Sequence, residues 1–278
     1  MAETLADLIE ARFGLPASTG TGMSAEGPIA GMLSHRTHRR FTDEPVSEEM
    51  LELILAAGFS APTKSDLQQA SVVLVRDPVR RAAIQALIPD MPWIATVPVF
   101  MVFCGDSRRI RRICELRDKP FANDHMDAFL NAASDTAMVL QNAVNAAEAL
   151  GLGTCPISHV RNHIDEVGEI LELPSYVFPL AGLCIGHPSQ AGWISMRLPP
   201  KVTVHVDRYD DADFVADLDA YDRRRDARFS IPTEKQRQAG RFGTADFYGW
   251  SEDKARQVSE RERDGLRAYL ERQGFDLS

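Results

Sequence analysis

Residues 35–68 read HRTHRRFTDEPVSEEMLELILAAGFSAPTKSDLQ, and three patterns follow one another in that stretch. First come two histidines and three arginines among six residues, in a chain whose formal net charge is −9. In an extended segment His35, Thr37 and Arg39 share one face; on a helical turn Arg36, Arg39 and Arg40 share one. Either arrangement converges donors on one phosphate, whose oxygens match guanidinium forks. A solvated basic patch is the other reading of the same residues. Next, Ser47 suits a helix N-cap, Val46 and Leu51 occupy staple positions, and Glu48 and Glu49 suit the positive helix end. Met50, Leu51, Ile54 and Leu55 form a core-facing helical stripe. Gly58 and Pro62 are expected to end this helix, and a small-residue loop, APTKSDLQ, follows.

Outward from that stretch, residues 3–13 have helical spacing, and the Gly-, Ser-, Thr- and Pro-rich run after them reads as a flexible link. Residues 1–27 are therefore expected to be a helix with a flexible extension, and residues 28–278 a single domain. Strands are expected at 71–75, 97–106, 154–157, 178–188 and 202–207, and helices at 77–88 and 161–173. The Ala-rich run 127–153 reads as a long buried helix, inside the subunit or at a dimer seam, stopped by Gly151 and Gly153. Residues 222–250 are charged and lack clean periodicity, which suits an arm laid on a partner subunit. Residues 251–275 read as one amphipathic terminal helix. Mixed helices and strands without regular βαβ alternation place the chain in the α+β class.

Composition narrows the function. Hydrophobic residues make up 44% and charged residues 26% of the 278, as in ordinary soluble domains. The acidic balance argues against nucleic acid or an anionic membrane as the main partner. Cys104, Cys155 and Cys184 lie in apolar runs and read as buried free thiols; with Cys114 they form no CxxC or zinc spacing. No signal peptide and no apolar run of ~18 residues is evident, so a cytoplasmic location is expected. Walker A and strand-linked GxGxxG motifs are missing, which excludes P-loop and Rossmann modes of phosphate binding. Asp124, His125 and Asp127 read as a solvated helix start rather than a metal site.

The motif in 35–68 resembles the opening of the FMN-dependent nitroreductase family: a basic start, a helix, then a small-residue loop ending in Leu-Gln. MVFCGD, DTAMVLQNAVNAAEALGLG, RNHIDEV and LAGLCIGHP follow in the family's order. The terminal GWSEDKAR…YLERQGF is similar to the larger, NADPH-preferring branch. The resemblance implies an α+β nitroreductase-like fold, with a mostly antiparallel sheet flanked by helices, an intertwined homodimer and a C-terminal arm. It implies FMN as cofactor, NADPH or NADH as electron donor, and ping-pong hydride transfer through flavin N5 to a nitroaromatic, quinone or flavin. His35, Arg36, Thr37 and Arg39 correspond to the opening flavin contacts, and Arg197 to a later phosphate arginine. Thr63 and Ser65 match contacts from one subunit, while Pro156, Ile157, Ser158 and His159 match the segment beside the isoalloxazine. Lys64 and Asp66 would face the acceptor, and Arg241 stands where the larger branch keeps an arginine for the NADPH 2′-phosphate. His159 is read either as a proton donor or as a loop histidine bonded to backbone, and Arg241 alternatively as an exposed arm residue. No side chain need act as general acid or base, because the cofactor carries the chemistry. Departures from the branch are Ser195 for a phosphate lysine, Met91 for a glutamine, and Ser158 and His159 for glycines; Trp93 also reshapes the pocket. Other roles compatible with this pattern are reductive dehalogenation, ene reduction, flavin breakdown, or flavin binding without turnover.

Overall fold

A computed structural model describes residues 3–278. In chain order the helices are α1 Leu5–Phe13, α2 Gly27–Ser34, α3 Glu48–Phe59, α4 Pro78–Leu87, α5 Trp93–Thr96, α6 Arg108–Leu116, α7 Met126–Ala149, α8 Ile164–Ile170, α9 Pro200–Thr203, α10 Phe214–Phe229, α11 Ala239–Phe242, α12 Trp250–Val258 and α13 Leu266–Arg272. The strands are β1 Ala70–Leu74, β2 Val99–Asp106, β3 Gly153–Ile157 and β4 Val177–Gly186. The chain divides into two compact units, one of residues 3–35 with 193–262, the other of residues 36–192 with 263–278.

The second unit holds the sheet, in the order β1-β2-β4-β3 with every pair antiparallel. The α+β expectation is met. β2 and β4 are the central strands and are almost wholly buried, as their unbroken apolar runs demand. α3 packs on α7 over one face, through Leu51, Ile54, Val139, Ala143 and Val144. Ser47 caps α3 by accepting the Met50 N–H at 3.1 Å. Gly58 does not stop α3. It lies inside the helix, where an added Cβ would sit 3.4 Å from the Ala143 Cβ and from the Val139 carbonyl. Its missing side chain sets the close approach of the two helices. Gly151, at φ +80°, does follow the end of α7 in the left-handed conformation. On the other face α4, α5 and α8 cover Phe100, Val102, Cys104 and Cys184. Cys104, Cys155 and Cys184 are buried and unbridged, as expected.

The first unit is built around α1, whose Leu5 and Leu8 pack with Ala30 and Ile194. Residues 20–25 fold back along α1 through the bonds Leu5 N–H to Met23 O and Ala25 N–H to Glu3 O. The strand expected at 202–207 is not formed. Pro199 and Pro200 start the short helix α9 instead, and Val204 and Val206 are exposed, so the alternating valines have no core to face. The region expected to be irregular takes in the second half of the 16-residue helix α10, which is anchored by buried Tyr221 and Asp222. The single terminal helix expected over 251–275 is two helices, because the polar run between α12 and α13 offers no apolar stripe and Arg263 adopts φ +63°.

Candidate active site

The basic segment is extended and stitched to the sheet. Thr37 bridges Thr154 in parallel fashion, and the His38 N–H donates to the Thr154 carbonyl at 2.8 Å. Farther on, Phe41 bridges Pro188, the Thr42 N–H reaches the His187 carbonyl at 2.9 Å, and the Ser189 N–H reaches that of Arg40 at 3.1 Å. The segment thus passes the start of β3 and the residues that follow β4, at one corner of the sheet. Two glycines make room for it. A Cβ on Gly153 would lie 2.9 Å from the His38 ring, and one on Gly192 would lie 3.2 Å from the Arg36 Cβ. Thr154 is held from below by donating its hydroxyl to Glu148 at 2.8 Å. Two residues after Thr154 comes Pro156, the first residue of the segment Pro156, Ile157, Ser158 and His159, so Thr37 pairs with the strand that carries that segment.

Within the basic segment Arg36 is half-buried, and its Nε is buried without a hydrogen-bond partner in the protein. A buried guanidinium nitrogen left unpaired is costly unless an anion completes it. Arg39 is exposed, with its Cζ 6.0 Å from the Trp93 ring centroid. Burial pushes the Cys155 thiol up, with the Arg39 charge opposing. Ser158 and His159 open a one-turn helix; the Ser158 hydroxyl lies 3.3 Å from Arg263, which also donates to Asn162 at 3.0 Å.

The loop carrying Thr63, Lys64, Ser65 and Asp66 is held by a different device. Ser65, Asp66 and Gln68 all have positive φ, at 52°, 59° and 53°. Three non-glycine residues in that region cost free energy that surrounding bonds must offset. Asp135, fully buried on α7, supplies two of those bonds. Its Oδ1 accepts the Lys64 N–H at 2.8 Å and its Oδ2 the Gln69 N–H at 3.0 Å. Arg109 adds a bond to the Gln68 carbonyl. Lys64 and Asp66 are exposed, and their side chains bond locally, Lys64 to Ser65 and Gln68 to Asp66.

Strand register fixes how far apart these two groups lie in one chain. The loop leads into Ala70, which pairs with Gly105, itself opposite Phe178 of β4. Thr154, beside Thr37, pairs with Ile185, seven residues along the same strand. That is ~23 Å along the strands and ~14 Å across three inter-strand gaps. The loop and the basic segment stand at diagonally opposite corners of the sheet.

The remaining expected residues lie in the first unit. The His35 carbonyl accepts from Arg12 at 2.7 Å. Arg197 is exposed, its N–H donating to the Arg12 carbonyl at 2.8 Å and its guanidinium to the Ser195 hydroxyl. Arg241, in α11, is exposed; its Cζ lies 4.7 Å from the Phe242 ring centroid. Sequence reasoning missed Asp135 and Arg12. The signal for Asp135 was present: a carboxylate on the stripe Ala128, Ala132, Thr136, Val139, where every neighbour is small or apolar.

A family model described as the nitroreductase family matches residues 32–187, and one for that family's C-terminal domain matches residues 195–278. The chain belongs to the nitroreductase family. It is 37% identical over 252 residues to an FMN reductase [NAD(P)H] of Bacillus subtilis, covering 90% of this chain and 98% of the relative. It is 39% identical over 182 residues to an oxygen-insensitive NADPH nitroreductase of Salmonella typhimurium, covering 66% of this chain and 74% of that one. The solved structure of an NADPH:FMN oxidoreductase from Vibrio harveyi complexed with NAD+ superposes with a TM-score of 0.77 at 30% identity, covering 89% of this chain and 97% of that one. Of the nitroreductase-family departures noted above, Met91 and Trp93 lie together, half-buried against the β2–β4 core. Asp124 is not simply a solvated helix start. It forms a two-pronged pair with Arg111, at 2.7 and 2.5 Å, while His125 caps α7. That pair holds the Asp124 carboxyl below its ordinary range, with burial opposing.

Proposed function

We propose that this protein is a soluble, cytoplasmic FMN-dependent NAD(P)H oxidoreductase working as a homodimer. The observation that carries the reading is Arg36: a half-buried guanidinium with an unpaired Nε, in a basic segment fixed at one corner of the sheet. This donor set suits a phosphate dianion, which accepts charge-assisted bonds and completes the buried nitrogen. Arg36, Thr37 and Arg39 would hold the FMN phosphate, with His35 and Arg197 assigned the same role by the family resemblance. When bound, FMN supplies the redox chemistry, taking a hydride from NAD(P)H and passing the electrons to an acceptor.

The chain's own residues position and screen. The segment Pro156–His159 borders the isoalloxazine and offers it a backbone N–H. Thr63 and Ser65 contact the flavin from the strained loop, and Lys64 and Asp66 meet the acceptor. The diagonal separation of loop and basic segment means that one flavin can use both only if they come from two copies of the chain. This supports the homodimer. Arg241 would select the 2′-phosphate of NADPH. No general acid or base is assigned.

Steady-state kinetics with NADPH and NADH against a panel of quinones, nitroaromatics and free FMN test the reading. Parallel double-reciprocal lines with at least one acceptor are expected. Turnover confined to a carboxylated or phenolic acceptor would favour a specialised reductase that uses Lys64. A folded protein without turnover on any pair would contradict the proposal.

A further inference from the structure

Arg12 belongs to none of the roles assigned so far, yet it is one of the most engaged side chains in the first unit. It sits on α1, before the first residue that the family model matches. It is 6% exposed. Its Nε and Nη2 donate to the Leu33 carbonyl at 3.2 and 2.9 Å, Nη2 also to the His35 carbonyl at 2.7 Å, and Nη1 to the Ser195 carbonyl at 2.7 Å. Leu33 and His35 form the C-terminal end of α2, where orphan carbonyls and the negative end of the helix favour a cation. The Arg12 carbonyl in turn accepts the Arg197 N–H at 2.8 Å.

The rest of α1 is fixed to match. Gly14 caps it at φ +68°, and a Cβ there would lie 2.6 Å from the Met196 side chain, so the helix end rests directly on the 195–197 segment. Arg228 donates to the Ala11 carbonyl at 2.9 Å, and Tyr221 donates its hydroxyl to Met196 at 3.1 Å. One guanidinium thus ties together the two backbone segments that carry His35 and Arg197. Its planar fork serves three carbonyls from fixed directions, which an ammonium group cannot do.

We propose that Arg12 is a positioning residue for the FMN phosphate: it sets the backbone at His35 and Arg197, the two residues of the first unit that the family resemblance assigns to that phosphate. The inference rests on the proposed FMN function. Its effect should be confined to the phosphate end of the ligand, which gives a test that a general loss of stability would not pass. FMN and riboflavin differ by the phosphate alone. Dissociation constants for both, from flavin fluorescence quenching, are to be compared for the wild type, Arg12→Gln, Arg12→Lys and the control Leu8→Ala. Leu8→Ala removes core packing from the same helix and leaves Arg12 in place.

Arg12→Gln is expected to weaken FMN tenfold or more while changing riboflavin less than twofold. Arg12→Lys, which keeps the charge but not the fork, should move the FMN-to-riboflavin ratio in the same direction by a smaller factor, and it decides the matter if Arg12→Gln does not fold. Leu8→Ala should leave that ratio at the wild-type value. The inference is overturned if the folded Arg12 variants keep the wild-type FMN affinity, or if they weaken both ligands by one common factor. A wild-type protein that binds neither flavin would instead overturn the functional reading on which the inference stands.

Discussion

Two regions of the proposed site, the basic segment at 36–42 and the loop at 63–69, are held in place by opposite means. The segment is extended and fixed by backbone pairing at one corner of the sheet, with glycines giving it room. The loop bends through three left-handed non-glycine residues and is pinned at both ends by one buried carboxylate. Backbone pairing sets a position without charge and leaves the side chains free to meet an anion. A buried carboxylate depends on two N–H donors with nothing in reserve, and stores strain next to the proposed flavin contacts. The segment should therefore lose function when its side chains change, and the loop when its clamp changes.

The largest effect expected follows from that contrast. Arg36→Ala removes charge-assisted bonds worth about 2–3 kcal/mol, so FMN affinity should fall on the order of 100-fold with little change in Tm. Fluorescence titration and thermal denaturation check the two halves of the statement. Lys64→Ala, which keeps the clamped N–H, should leave FMN affinity within a few-fold and alter the acceptor KM instead.

Asp135→Asn comes next. The amide retains one acceptor and turns a donor toward the other N–H, so one end of the loop is left unpaired, at a cost of about 1–3 kcal/mol. FMN affinity should drop roughly tenfold, and amide exchange at Lys64 and Gln69 should quicken while β2 and β4 stay protected. Mixing this variant with Arg36→Ala tests the two-chain site. Where the segment of one copy and the loop of the other build each site, mixed dimers regain one site free of both changes, and flavin affinity recovers in part. Absence of recovery in verified mixed dimers would break the comparison at its base.

Much of this arrangement was legible in the sequence. Ser47, the stripe of α3 and the apolar runs of β2 and β4 announce themselves, because local capping and burial on both faces leave strong patterns. The valines of 202–207 misled for the converse reason: alternation signals a strand only where a sheet edge is there to receive it, and two prolines had already started a helix. α10 escaped because its charged surface hides the few residues, Tyr221 and Asp222, that anchor it. The burial of Asp135 was readable from its place on the apolar stripe of α7, but its partners, like those of Arg12, are backbone groups far along the chain, for which no spacing rule exists.

A third effect separates charge-held from backbone-held parts by pH. The Arg111 pair lowers the Asp124 carboxyl in the folded chain, so its contribution is complete above the unfolded carboxylate value of about 3.9 and is lost as pH falls through the lower folded value. Asp124→Asn should thus lower Tm above ~pH 5, by an amount equivalent to about 0.5–1 kcal/mol after solvent screening, and the gap should narrow as pH falls below the unfolded carboxylate value. Smallest of all, Asp66→Gly relieves a left-handed residue at φ 59° but loosens the unfolded chain, so the net change should stay within about 1 kcal/mol. A larger loss would mean that the Asp66 side chain, not its backbone, matters to the loop.

The central claim is that the protein binds FMN and reduces it with a nicotinamide. Its most direct test is an anaerobic titration of the FMN-loaded protein with NADPH and then NADH, followed from 350 to 500 nm. The account predicts a flavin spectrum that bleaches with one equivalent of donor per flavin, faster with NADPH if Arg241 meets the 2′-phosphate. A protein that cannot be loaded with FMN, or a bound flavin that neither nucleotide bleaches, would contradict it.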